Sequence, residues 1–307
     1  MTSVFDQGPP PPCPNPFNMA AHVLTHAARL PDKRALSVLH GGHSEDWRFD
    51  RLERAVRGVG TGLHNVGLCP GQIVLMRLGN SVDFPIAYLG AIAAGLVPVP
   101  SSTQLTAPEV ARMIGDLNPA AVLHDPDVPC ADFPGIIPVG DLRDMYDLPP
   151  CDWHMGDPDR MGYIVYTSGT SGQPRAVAHA HRAIWARRMM ISDWYDLRAD
   201  DRLLHAGAFN WAYTLGTGLM DPWAIGATAL IPAPGTDIAD LPALLQSRGA
   251  SIFAAAPGVY RKLLQATPHM HAPALRHGLS AGEKLSQPIR DLWHKATGTA
   301  IYEAYGL

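Results

Sequence analysis

Between Ile73 and His124 the sequence switches repeatedly between two hydrophobic periods, and that switching limits what the chain can fold into. "IVLMRL" (73–78) is a short, mostly apolar, partly β-branched run. It predicts a strand buried on both faces. An apolar helical stretch around Pro85–Gly95 follows, and then "VPVP" (97–100). "TAPEVARMIGDL" (106–117) opens like a capped helix, with Thr106 as N-cap, Pro108 in the first turn and Glu109 at capping-box spacing. "AAVLH" (120–124) and "IIPV" (136–139) predict two more strands. Strands that alternate with helices lie parallel, because each helix is the crossover that returns the chain.

The stretch from Arg143 to Arg160 is rich in Asp and Pro and reads as a linker, after which a second round begins. "GYIVYTSG" is its first strand, and a long helix is expected over Arg182–Trp194. "RLLHAG" (202–207), "ATALIP", "SIFAAAP", "LRHGLSAGE" and "AIYEAYG" supply further strands. The helices between them are a segment near Leu215–Ala224, then "DIADLPALLQSRG", "PGVYRKLLQAT" and "SQPIRDLWHKATG". The expected fold class is α/β, with two stacked, helix-covered, mostly parallel sheets. A proline-rich arm is expected over 1–30, a first subdomain over about 31–150 and a second over about 151–307. The 307 residues suffice for two such cores.

Composition removes several function classes. A hydrophobic share of 47% with 17% charged residues describes a globular chain. The formal net charge of -4 gives no electrostatic case for nucleic acid or an anionic membrane. The four cysteines (Cys13, Cys69, Cys130, Cys151) are scattered without a CxxC pair, which fits free thiols in a reducing cytoplasm. Histidine clusters at 179–182 and 269–271 lack a cysteine or carboxylate at ligand spacing, so no metal site is expected. The first residues have neither a basic nor an apolar region and do not form a signal peptide. "FPIAYLGAIAAGLVPVP" (84–100) is the best membrane candidate. It is shorter than the ~20 residues a spanning helix needs, and Pro98 and Pro100 interrupt its end.

"YTSGTSGQPRAV" (166–177) packs two glycines and four hydroxyl groups ahead of one cation. A loop of this composition after a buried strand can turn backbone N–H groups and hydroxyls toward an anion. The added arginine makes a polyphosphate the natural ligand. The loop does not match GxxxxGK[ST], and "AVAHA" (176–180) predicts a strand after it rather than a helix N-terminus.

Tyr-Thr-Ser-Gly-Thr-Ser-Gly-x-Pro-Arg resembles the phosphate loop of the adenylate-forming superfamily, which includes acyl-CoA synthetases, amino-acid adenylation domains and luciferases. The resemblance implies that Thr167, Ser168, Gly169, Thr170, Ser171, Gly172, Gln173, Pro174 and Arg175 hold the ATP phosphates, with Thr170 and Arg175 catalytic. Arg175 stands where that family has lysine, and Ala176 where it usually has glycine. Arginine keeps the charge and adds a planar fork. "NSVDFPIAYLGAIAAGLVPVP" (80–100) resembles the family's early helix and strand. "SAGEKL" (280–285) resembles its adenine-side turn, which implies that Gly282, Glu283 and Lys284 lie beside the base. "YEAYGL" (302–307) resembles the start of its Tyr-Gly-x-Thr-Glu motif, with Glu303, Ala304, Tyr305, Gly306 and Leu307 lining the same side.

"AFNWAYTLGTG" (208–218) occupies the family's carboxylate-pocket region and is similar to that of benzoate-type and medium-chain acyl-CoA ligases. Trp211, Ala212 and Tyr213 are the implied pocket residues. Amino-acid activating members usually carry aspartate after the phenylalanine, and here Asn210 stands there without charge. The resemblance therefore implies ATP-dependent activation of an aromatic or short- to medium-chain acid, with ATP, Mg2+ and CoA as cofactor and co-substrates. Two alternatives remain: a non-catalytic nucleotide- or acid-binding fragment, and an adenylation domain serving a carrier protein. The chain stops inside the last motif, so most of a large N-terminal domain is expected without the small C-terminal lid domain.

Overall fold

A computed structural model describes residues 8–167 and 174–305. The first half runs α1 (Met19–Val23), β1 (Arg34–Leu39), β2 (Ser44–Arg48), α2 (Phe49–Asn65), β3 (Ile73–Arg77), α3 (Asp83–Ala93), β4 (Val97–Pro100), α4 (Ala107–Leu117), β5 (Ala121–His124), β6 (Ile136–Pro138) and α5 (Val139–Asp144). The second half continues with β7 (Met161–Thr167), β8 (Arg175–Ala180), α6 (Ala183–Ala186), α7 (Arg188–Asp193), β9 (Arg202–His205), a π-helix (Thr214–Met220) and α8 (Asp221–Ala224). After these come β10 (Thr228–Pro232), α9 (Leu241–Ser247), β11 (Ile252–Ala255), α10 (Pro257–Ala266), β12 (His277–Ser280), α11 (Gln287–Thr297) and β13 (Ala300–Glu303).

The strands form a seven-stranded sheet ordered β13-β12-β11-β9-β10-β1-β2, a four-stranded sheet ordered β4-β3-β5-β6, and the hairpin β7-β8. Within the two larger sheets only β1–β2 is antiparallel. The α/β reading with two mostly parallel sheets therefore holds. The boundary near residue 150 does not divide the sheets, because β1 from the first half pairs with β10 from the second.

Period-two burial places each sheet between apolar layers. Val74 and Met76 of β3 face one cluster, which also takes Ala229 and Ile231 of β10 and the buried faces of α2 and α3. Leu75 and Val122 face the opposite way, onto Val110 and Met113 of α4. Leu204, Leu230 and Phe253 leave the large sheet on its other side, toward α9, α10 and α11. One helical layer, α2 with α3, thus serves both sheets. Every residue of α3 is buried, so the apolar run at 84–100 is a core helix and strand. Among the described residues no helix is long and apolar enough to cross a membrane. The capping box of α4 forms as expected, with the Thr106 N–H donating to Glu109 Oε2 at 2.8 Å.

Four sequence expectations change. The arm expected over 1–30 is packed from Phe17 onward: Phe17, Met19, Ala20, Val23, Leu24 and Ala27 belong to the central core. The 143–160 linker is pinned, with Arg143 and the Tyr146 hydroxyl both on the buried Asp83 carboxylate. The helix expected over Arg182–Trp194 is broken into α6 and α7 at Arg187. That break lets the guanidinium reach Asp221, with Arg187 Nε 2.9 Å from Oδ1. The Tyr195 hydroxyl donates to the same carboxylate at 2.7 Å. Finally, the helix near Leu215–Ala224 begins as a π-helix.

The α2–α3 contact depends on a missing side chain. A Cβ on Gly90 would lie 2.7 Å from Val59 Cγ1 and 2.9 Å from the Val56 carbonyl oxygen. Gly90→Ala is expected to destabilise the protein by about 1–3 kcal/mol through overpacking, seen as a lower urea midpoint at unchanged m-value. A second expectation concerns acid. The Met19 N–H donates to Nδ1 of buried His181 at 3.1 Å. Burial, aided by Arg160 and His154, lowers this ring's pKa from 6.5 to about 3. Between those values the unfolded chain takes a proton that the folded chain refuses, so stability falls as pH falls. One such group gives a slope of about 1.4 kcal/mol per pH unit. His181→Gln keeps an acceptor for Met19, so its stability deficit against the parent should narrow from neutral pH to about pH 4. Urea midpoints measured across that range check it.

Candidate functional site

In open α/β sheets, ligands gather outside the carboxyl ends of the parallel strands. The acid segment follows β9, the 281–284 turn follows β12, and Ala304 and Tyr305 follow β13. These strands run parallel in one sheet, so all three segments emerge at the same edge. The end of β12, just before the 281–284 turn, lies beside the end of β13. Ser280 registers with Glu303, and the Ala304 N–H donates to the Ser280 carbonyl at 2.9 Å.

Gly282 has φ +101°, with nothing within 4 Å of where its Cβ would stand. Only glycine adopts this conformation freely, and the space beside its backbone is open. Glu283, Lys284 and Tyr305 are exposed. The Glu303 carboxylate accepts from the Leu285 N–H at 2.6 Å and pairs with Arg290 at 2.5 Å, which clamps the turn to β13.

The glycine–hydroxyl segment joins β7 to β8 in the sequence. Thr167 registers with Arg175, and Tyr166 with Ala176, so these pairs form the mouth of the loop. A strand rather than a helix follows it, as "AVAHA" suggested. Pro174 and Arg175 are exposed, and Arg175 makes no ion pair among the described residues. Ser168, Gly169, Thr170, Ser171, Gly172 and Gln173 lie outside the described residues, as do Gly306 and Leu307. The hairpin is stiffened by Tyr163 stacked on His179, with ring centroids 4.7 Å apart.

The acid segment is tied to the small sheet through Asn80, a residue that sequence reasoning did not single out. Its side-chain oxygen accepts from the Phe209 N–H at 2.7 Å, and its Nδ2 donates to the Gly207 carbonyl at 3.3 Å. A cleft of about 260 Å3 opens beside it, lined by Asn80, Gly207, Pro232 and Thr236 among others. Trp211 and Ala212 are exposed, while the Tyr213 ring turns inward. Tyr213 meets His205 edge to face, with centroids 4.6 Å apart. His205, at the end of β9, is 1% exposed, and burial lowers its pKa to about 3, which keeps the ring neutral. Nothing in the sequence marked this histidine, because a buried strand end carries no motif. Among the described residues no group of three or more His, Cys, Asp or Glu could hold a metal ion.

Residues 23–307 match the family model described as AMP-binding enzyme. The chain is 26% identical over 286 residues to the 3-hydroxybenzoate–CoA ligase of Aromatoleum sp. (strain CIB), a match covering 86% of this chain and 54% of that one. It is 29% identical over 280 residues to the 4-hydroxybenzoate–CoA/benzoate–CoA ligase of Rhodopseudomonas palustris, covering 84% and 52%. The solved anthranilate CoA ligase in complex with anthranoyl-AMP superposes with a TM-score of 0.85 at 20% identity, covering 96% of this chain and 60% of that one. Likeness at that identity carries the fold. The chain spans about half the length of the curated relatives it matches. With the motifs in order along the fold and the family model matched from residue 23 to 307, the chain belongs to the AMP-binding enzyme family.

Proposed function

We propose that this chain supplies the nucleotide- and acid-binding part of an ATP-dependent acid–CoA ligase acting on an aromatic or medium-chain carboxylic acid. The observation that carries the reading is the convergence at one sheet edge of an uncharged acid segment and an open glycine turn. An exposed cation at the mouth of a hydroxyl-rich hairpin accompanies them. The relatives' names, which specify benzoates and hydroxybenzoates, support the acid class. In the first step a carboxylate oxygen attacks the α-phosphorus of ATP, and the bond to pyrophosphate breaks. In the second the CoA thiolate attacks the acyl carbonyl, and AMP leaves with the electron pair.

The chain's own work is binding, orientation and charge neutralisation. Thr167 to Arg175 would hold the phosphates, with Thr170 and Arg175 on the departing pyrophosphate. Gly282, Glu283 and Lys284 would line one side of the adenine, and Ala304 to Leu307 the other. Trp211, Ala212 and Tyr213 would surround the acid. No side chain from residue 206 to 220 is charged, which suits an acid whose only charge is its reacting carboxylate. Mg2+ is expected with the nucleotide. Among the described residues no group of three or more His, Cys, Asp or Glu could hold it. A cytoplasmic location suits the four free cysteines.

Assayed as the full-length protein with ATP, CoA and a panel of aromatic, medium-chain and amino acids, the enzyme should release AMP with the plain acids. Release with free amino acids alone would refute the acid class. Arg175→Ala removes the cation at the hairpin mouth, and Gly169→Val puts a β-branched side chain into the loop. Losing one charge-assisted contact should weaken ATP binding by on the order of 1.5–3 kcal/mol, measured by calorimetric titration. Unchanged affinity in both variants would assign the hairpin a purely structural role.

A further inference from the structure

Beneath the acid segment, three neighbouring side chains carry buried polar atoms with no hydrogen-bond partner. They are both ring nitrogens of His205, the Tyr213 hydroxyl and Thr214 Oγ1. His205 is 1% exposed and Thr214 0%. His205 and Thr214 meet at Gly207, and the Tyr213 ring packs edge to face on His205. The position a Cβ would take on Gly207 is 2.4 Å from Thr214 Oγ1 and 3.0 Å from His205 Nδ1. Gly218, on the π-helix, lets that helix lie directly on the ring, since its own Cβ would stand 2.9 Å from His205 Cβ. A buried polar group without a partner is uncommon and destabilising, and several in one place call for a functional explanation.

We propose that His205 and Thr214 form a hydrogen-bonding floor to the acid pocket, which receives a hydroxyl group carried on the ring of an aromatic acid. The inference rests on the reading that Trp211, Ala212 and Tyr213 line that pocket. The chemistry selects a neutral polar substituent. A neutral imidazole offers one donor and one acceptor, and the Thr214 and Tyr213 hydroxyls can each play either part. A phenolic hydroxyl satisfies both kinds at once. A second carboxylate or an ammonium would be desolvated there without a counter-charge. The cation that acts on Tyr213, Arg187, is already closed on Asp221. A hydrocarbon ring would leave the floor unpartnered, and a site built around hydrogen bonds rejects the analogue that lacks them.

Calorimetric titration tests this with benzoate, 3-hydroxybenzoate and 4-hydroxybenzoate as probes and α,β-methylene-ATP present. The parent protein should bind one hydroxybenzoate about three- to tenfold more tightly than benzoate. His205→Phe should erase that preference, and Thr214→Val should reduce it. The parent's own preference and the Thr214 variant carry the test even if His205→Phe does not fold. Equal binding of all three acids by the parent overturns the proposal and leaves the ligase reading intact. So does a preference that survives both substitutions. If the nucleotide analogue binds and no aromatic acid does, the assignment of the acid pocket falls, and this floor falls with it.

Discussion

The close approach of α2 and α3 is the contact on which the remaining architecture depends. Both helices pack in the one apolar cluster that the two sheets share. Gly90 allows the approach at its narrowest point, with Val56 and Val59 opposite. The loop after β3 is carried on this frame, and Asn80 in that loop holds the segment after β9 by two hydrogen bonds. The acid segment is therefore positioned by the small sheet although its strand belongs to the large one. A change in helix spacing would reach the site through Asn80 before it altered any side chain that faces a ligand.

The site divides its electrostatics by place. The hairpin carries the exposed Arg175, whereas the acid segment carries no charge over its length. The strongest buried charges nearby, Arg187 and Asp221, neutralise each other, with Tyr195 and Thr217 completing the hydrogen bonds. A closed pair of this kind adds little net stability, while breaking it would leave a buried charge uncompensated. Its place at the α6–α7 break gives it a positioning role, because it ties the segment after the hairpin to the start of α8.

Much of this was legible in the sequence wherever local pattern and tertiary role agree. The capping box of α4 and the largely apolar α3 were readable for that reason. So were the motif segments, whose shared edge follows from strand–helix alternation. The misses have physical causes. β2 reads "SEDWR", and only pairing with β1 makes it a strand. α2 contains Gly58, Gly60 and Gly62, which lower helix propensity, and the 145–151 segment packs where their side chains would be. Residues 182–194 keep a helical composition, and the break at Arg187 comes from a partner 34 positions away. His205 stayed hidden because burial is not written in a residue's identity. Asn80 was quoted within a motif, but its clamp needs the fold to bring Gly207 and Phe209 within reach.

The π-helix at Thr214–Met220 has a consequence for how the chain tolerates insertion and deletion. A π turn holds one more residue than an α turn between the same two ends. Deleting one residue from this stretch would turn it into ordinary α-helix between the same two ends, so Asp221 could keep its place on Arg187 while Gly218, inside the turn against the His205 ring, would shift. The irregular turn thus acts as a phase adjuster between two fixed points, the acid segment before it and the buried ion pair after it.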